Sequence, residues 1–242
     1  MEKDYINCTL FVTFIIIVLL IFIKSFMTII KLPFHIERSY TIDINDITTP
    51  IDDLSFNGIP ATIYQSYDNN TKVTYNLVNI ISDNVSYNSE CEYYLFNNAD
   101  KRLFIESNFD ENIINEYDSL PSNDKHKLWI YCILYKNGGI YMDINCRLQM
   151  PILDIITPIM TKLQKNNNIL FTMNNNNISN KLIIAPPNLP IFKDLIDSYV
   201  NHNNLSLSNL VNKYNYNDNI QFYVDNTIIK KIDTNDIIIS IN

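Results

Sequence analysis

The chain has 242 residues, a formal net charge of −8 and 47 % hydrophobic residues, enough for one domain with its own core. Its 18 Lys and Arg against 26 Asp and Glu build no basic face, which argues against a nucleic-acid partner. Only three glycines occur, Gly58, Gly138 and Gly139, so neither a dinucleotide fingerprint nor a phosphate-binding loop can be written. His35, His126 and His202 stand too far apart for a zincin motif, and Cys8, Cys91, Cys132 and Cys146 contain no Cys-x-x-Cys pair. No structural zinc site or disulfide framework is indicated; one disulfide among the last three cysteines stays open.

In chain order, residues 1–9 form a short tail. Residues 8–23 read CTLFVTFIIIVLLIFI without a charge, and after Lys24 the apolar character continues to Lys31. That is long enough to cross a hydrocarbon core of about 30 Å, so residues 10–31 are expected to be a single-pass transmembrane anchor. A cleaved signal peptide is the alternative, but no small-x-small cleavage site follows. Lys24, Lys31 and Arg38 follow the segment and only Lys3 precedes it, a bias that would hold the rest in the cytoplasm. Residues 32–58, with two prolines and weak periodicity, read as a stem, and residues 59–242 as the folded domain.

Within that domain, strands are expected at residues 60–65 and 92–96 and a short helix at 99–107. A longer helix spans about 123–137: Pro121 and a Ser122 or Asn123 cap start it, Leu128, Tyr131, Cys132 and Tyr135 recur at three and four, and Gly138 stops it. Residues 140–144 follow as a strand. The runs NILFTM, KLIIAP and QFYV continue the pattern around a helix at about 190–200, and the Asn runs between them read as polar loops. This alternation predicts an α/β sandwich on a mixed, mainly parallel sheet.

The chemistry concentrates in residues 134–151, LYKNGGIYMDINCRLQMP. Alternation along the strand puts Tyr141, Asp143 and Asn145 on one face, with Asp143 and Asn145 at the strand's C-terminal end. Two oxygen side chains at the edge where α/β sheets bind ligands can hold a hard divalent cation together with a diphosphate. Alone, an Asp-x-Asn triplet in a chain with 26 acidic residues is a weak signal.

The stretch from SLPSNDKHKLWIYCILYKNGGIYMDIN to QMPILDII resembles the Asp-x-Asp sugar-binding region of glycosyltransferases related to yeast initiation-specific α-1,6-mannosyltransferase. That group is also similar to the catalytic domains of clostridial glucosylating toxins. IPATIYQ at 59–65 resembles the family's opening strand, YYLFN at 93–97 its second, and residues 181–200 a later strand-to-helix step. The resemblance implies a GT-A fold, a Rossmann-like nucleotide-sugar-binding sandwich. It implies a membrane-anchored enzyme, in the ER or Golgi membrane, that moves a hexose from UDP- or GDP-hexose to a glycan or protein acceptor with retention. The secretory lumen it implies opposes the charge bias, so the orientation stays open. Mn²⁺ or Mg²⁺ is the implied cofactor, held by Asp143 and Asn145, which also form the implied catalytic pair.

Tyr64, Gln65, Tyr141 and Asp143 match positions implied to contact the nucleotide sugar. Asn145 stands where the family has its second Asp, which removes one charge from the metal site. Lys127 and Ile130 stand where the family has an Asp and an Arg that reach the donor; Asp124, one turn earlier, and Lys127 itself are the candidate substitutes. These departures keep a second reading alive, a catalytically degenerate GT-A domain serving as a membrane-tethered binding or partner module. His202 and Asp218 read as solvated loop residues and Trp129 as core.

Overall fold

The structure is a computed structural model that describes residues 55–56, 58–68, 74–163, 169–175, 177–203, 205–225, 228–232, 234 and 236–241. All of them belong to the compact unit Ile42–Asn242. The expected tail, anchor and most of the stem lie outside the described residues. Among the described residues no helix is long and apolar enough to cross a membrane.

Seven α-helices, a single 3-10 turn (Asn217–Asn219) and eleven strands are described. A two-residue pair, β1 (Ser55–Phe56) with β2 (Ile59–Pro60), precedes β3 (Thr62–Ser66). Then come α1 (Tyr75–Tyr87), β4 (Glu92–Phe96), α2 (Asn98–Asn108), α3 (Glu111–Ser119), α4 (Ser122–Asn137), β5 (Gly139–Met142) and β6 (Cys146–Leu148). The chain continues through α5 (Ile152–Leu163), β7 (Leu170–Asn174), β8 (Asn177–Ala185), α6 (Pro190–Val200), α7 (Leu207–Lys213), β9 (Ile220–Asp225), β10 (Ile228–Lys231) and β11 (Ile237–Ile241). The main sheet has nine strands in the order β4-β3-β5-β8-β7-β9-β10-β11-β6.

The fold is mixed α/β, but the sheet is not mainly parallel. β3 is parallel to β4 and β5, and β7 to β9, whereas the other five junctions are antiparallel. The reason lies in the connections. β7 and β8 are separated by two residues, as are β9 and β10, and such short loops can only join antiparallel neighbours, since a parallel crossover needs a dozen residues or more. The Asn run at 174–177 is one of these hairpin turns, with Asn175 in the left-handed region at φ 46°.

Two apolar clusters sandwich the sheet. One gathers Phe96, Phe104, Trp129, Tyr141 and Phe192 under α2, α3, α4, α6 and α7; the other gathers Ile63, Ile140, Met142, Leu148 and Ile156 under α5 and the β10–β11 strands. Residues 128–134 of α4 are all buried, so this helix is covered on every side. It ends at Gly138, whose N–H bonds to the Leu134 carbonyl. Gly138 and Gly139 sit at φ 68° and 99°, in the left-handed region that suits glycine. Space is tight as well: a Cβ on Gly138 would stand 2.6 Å from Pro187 N, and one on Gly139 2.8 Å from Thr62 O.

The sheet must curl. Only three residues link β5 to β6, a reach of about 14 Å. Yet β6 lies six places from β5 in the strand order, about 29 Å in a flat sheet. Curling brings β6 back beside β5, and α1 fastens it there. Asn84, fully buried on α1, donates from Nδ2 to the Cys146 carbonyl at 2.9 Å and accepts from Leu148 N–H at 2.8 Å. Asn88, one turn on, accepts from Ile152 N–H at 2.7 Å. Cys91, Cys132 and Cys146 are all free thiols.

Two stability measurements test these points. Urea unfolding of Asn84→Ala should show a loss of about 3 kcal/mol, because a buried carbonyl and a buried N–H are orphaned together. Gly139→Ala should lose about 2 kcal/mol or more in the same assay. Gly58→Ala, at φ 82° with open space around it, should lose only about 1 kcal/mol of backbone strain.

Candidate functional site

The glycine turn makes α4 run back along β5, so the first turns of α4 lie beside the C-terminal ends of β3 and β5. β5 ends at Met142, two residues before the expected end of the strand. Asp143, Ile144, Asn145 and Cys146 then form a tight turn in which Cys146 N–H donates to the Asp143 carbonyl at 2.9 Å. Asp143 Oδ1 accepts from Asn145 N–H at 3.0 Å and from Asn145 Nδ2 at 3.3 Å, an Asx turn. Asp143 and Asn145 therefore do converge, through turn geometry rather than strand alternation.

Three neighbours hold the turn. Asp143 N–H donates to the Lys181 carbonyl at 2.9 Å, continuing the β5–β8 ladder beyond the pair of Met142 with Leu182. Gln65, fully buried on β3, donates from Nε2 to the Asp143 carbonyl at 2.9 Å, and its Oε1 accepts from Tyr93 OH. The Lys181 ammonium stands 3.2 Å from Asp143 Oδ2, with the two side chains 33 % and 25 % exposed.

Beside the turn runs a polar chain. Ser66 Oγ lies 3.2 Å from His126 Nδ1, and His126 Nε2 lies 2.9 Å from Tyr141 OH. Burial, then the nearby Lys101 ammonium, lower the His126 pKa from the usual 6.5 to about 4; Asp143 and Asp68 pull the other way. At neutral pH the imidazole is uncharged, with one donor and one acceptor nitrogen for its two partners. Burial, then the Asp143 carboxylate, push the Tyr141 phenol far up, so it remains protonated. Lys101 is buried 3.4 Å from the exposed Asp68, with its ammonium 5.9 Å from the centre of the Trp129 ring. Trp129 itself is fully buried, as expected, and its indole N–H has no partner among the described residues.

The residues expected from sequence fall into three groups. Gln65, Asp143 and Asn145 meet at the turn. Tyr141 is buried and reaches the corner through its hydroxyl, while Asp124 and Lys127 pair with each other at 2.9 Å on the first turns of α4, more than a third exposed. Tyr64 is 3 % exposed and stacks on Tyr94 at 5.9 Å between centroids, with its ring edge over Gly139. Ile130 is fully buried. His202 is exposed, near Glu116. Lys101, Ser66, His126 and Lys181 carry no motif in the chain; only the tertiary register brings them to this corner.

The residues that could hold a divalent cation are Asp143 and Asn145. Among the described residues no third His, Cys, Asp or Glu joins them in a group that could bind a metal. Asp143 Oδ1 accepts from the turn and Oδ2 faces an ammonium, so a dication here would find a single carboxylate and would have to compete with Lys181 for it. Cys132 and Cys146 are buried with their thiols pushed up by burial, so no activated thiolate is present. What the corner offers is a set of hydrogen-bonding groups and ammonium groups that are each paired with a carboxylate.

Residues 74–170 match the family model described as glycosyltransferase sugar-binding region containing DXD motif. The matched span contains α4, the glycine turn and the Asp143 turn. No curated protein matches the chain. Among solved structures, PaToxG Glycosyltransferase aligns over 63 % of this chain and 64 % of its own, at 14 % identity and a TM-score of 0.44. The chain thus spans less than two thirds of that protein. Asp143 and Asn145 both lie inside the matched span, as a carboxylate and a neutral amide of one turn.

His126 supplies a test of the polar chain. Its folded pKa of about 4 lies below the 6.5 of an ordinary imidazole, so the unfolded chain takes up the proton first as pH falls. Stability present above pH 6.5 is lost on the way down to pH 4, by up to about 3 kcal/mol. Unfolding midpoints measured across that window should fall for the wild type and flatten for His126→Gln.

Proposed function

We propose that the chain is a glycosyltransferase using a nucleotide-sugar donor. The observation that carries this reading is the 143–145 turn, which projects a carboxylate at the C-terminal edge of β3 and β5 inside the matched sugar-binding region. The curled mixed sheet with helices packed on its faces supports a GT-A type fold. UDP- or GDP-hexose as donor and a glycan or protein acceptor follow from the same reading, and the sequence resemblance supports retention at the anomeric carbon. The charge-free run at residues 8–23 supports a membrane anchor ahead of the domain.

In the reaction the bond between the anomeric carbon and the diphosphate oxygen breaks and its electron pair stays on the diphosphate. The acceptor hydroxyl forms the new bond, and its proton goes to a departing diphosphate oxygen. The protein's task is to stabilise the charge that grows on the diphosphate. The fixed backbone of the turn, the Asp143 carboxylate and the neutral chain from Ser66 to Tyr141 orient the donor.

A silent binding module is the second reading, favoured by the buried Ile130 and by Lys127 being neutralised by Asp124. Incubating the full chain with a panel of UDP- and GDP-hexoses separates the two. Release of nucleoside diphosphate from at least one donor, lowered about 100-fold or more by Asp143→Ala, is the expected result. Binding without turnover would favour the silent module, and neither binding nor turnover would remove both.

A further inference from the structure

We infer that Lys181 is the cation of this site: its ammonium binds the donor's diphosphate in the place that a divalent metal ion would otherwise take. This rests on the transferase reading and deepens it.

The first support is register. β8 runs antiparallel to β5, Met142 faces Leu182, and the next backbone bond joins Asp143 N–H to the Lys181 carbonyl. The two side chains are thus directly opposed across the ladder, where cross-strand partners meet. The contact of 3.2 Å is set by the sheet and not by a wandering surface side chain.

The second support is local charge. Two carboxylates and one dication sum to zero, and so do Asp143 and Lys181 beside a neutral Asn145. The loss of the second carboxylate and the presence of the lysine compensate each other. With only one carboxylate, a dication would leave the corner positively charged beside an ammonium, and would compete with that ammonium for Asp143 Oδ2.

The third support is what the other cations do. Lys127 is held by Asp124, and Lys101 is buried under Trp129 and paired with Asp68. Ile130 carries no charge. Lys181 is paired too, but its partner is Asp143 of the turn itself; a third exposed, it has a four-carbon stem that lets its ammonium contact the carboxylate and a phosphate oxygen together. As the bond to the anomeric carbon breaks, the electron pair left on the diphosphate meets this fixed positive charge. Asp143 acts on the reaction partly by positioning it.

Calorimetric titration of the full chain with UDP and with GDP, in excess EDTA and in Mn²⁺, tests the inference. The wild type should bind one of them with affinities that differ less than about threefold between the two conditions. Lys181→Met should weaken binding in EDTA by about tenfold or more, and Lys181→Arg should keep most of it. Lys181→Met combined with Asn145→Asp rebuilds a two-carboxylate site, so its binding should become Mn²⁺-dependent by about tenfold or more. Circular dichroism melts establish that the variants fold; if Lys181→Met does not, the wild-type comparison and Lys181→Arg decide. Wild-type binding that needs Mn²⁺, or that Lys181→Met leaves unchanged, overturns the role of the lysine and leaves the transferase reading standing. No binding of UDP, GDP or any nucleotide sugar in either condition removes the transferase reading and this inference with it.

Discussion

The structure depends on a three-residue link. Residues 143–145 must join a strand in the middle of the sheet to a strand at its far end, and a chain that short forces the nine strands to curl until the two meet. The same shortness leaves no slack at the site. Asp143 is bonded through its N–H, its carbonyl and its carboxylate, to β8, to β3, to β6 and to its own turn. A carboxylate held by so many contacts is fixed in place before any ligand arrives, which is how a site keeps its geometry without spending ligand affinity on ordering.

Much of this was legible in the chain. The helix at 122–137 and its glycine stop, β4 at 92–96 and α6 at 190–200 follow from periodicity and proline, which are local signals, although the expected Ser122 or Asn123 cap is not made: Pro121 stands at the N-cap with no side-chain bond, and Ser122 and Asn123 lie within the helix. Strand direction was not legible, because the two-residue turn at 175–176 is hidden in a longer run of asparagines whose members look alike. Nor were α1 and α3: in YNLVNIISDNVSY the apolar residues are interrupted by Asn, Ser and Asp, and ENIINEYDS has only three. The pairing of Lys181 with Asp143 needs the β5–β8 register across thirty-eight positions of chain, and His126 needs β3 and β5 beside α4. Motifs report what neighbours in sequence do, and these groups are neighbours only in space.

The corner divides its polar groups by charge state. One set is neutral and buried, Ser66, His126 and Tyr141, where burial keeps the imidazole uncharged and the phenol protonated. The other is ionic and reaches solvent, Asp143 with Lys181 and Asp124 with Lys127. The uncharged chain lies inside and these two ion pairs at the rim, while the buried Lys101 ammonium is compensated by Asp68 and the face of Trp129, so no bare charge is buried. Tyr64 and Trp129 belong to the apolar wall behind both sets, and Gly139 exists without a side chain so that the Tyr64 ring can lie against the backbone.

The buried amide of Asn84 has a consequence beyond fold geometry. β6 is an outermost strand, and outermost strands expose a row of N–H and C=O groups on which another chain can add. Asn84 occupies one of each on β6, at Leu148 and Cys146, much as a tenth strand would. A single helical side chain therefore occupies backbone groups of the strand next to the Asp143 turn that a further strand would need. Deamidation to aspartate would turn its donor into an acceptor facing a carbonyl, converting a seal into a repulsive contact and opening that strand to aggregation.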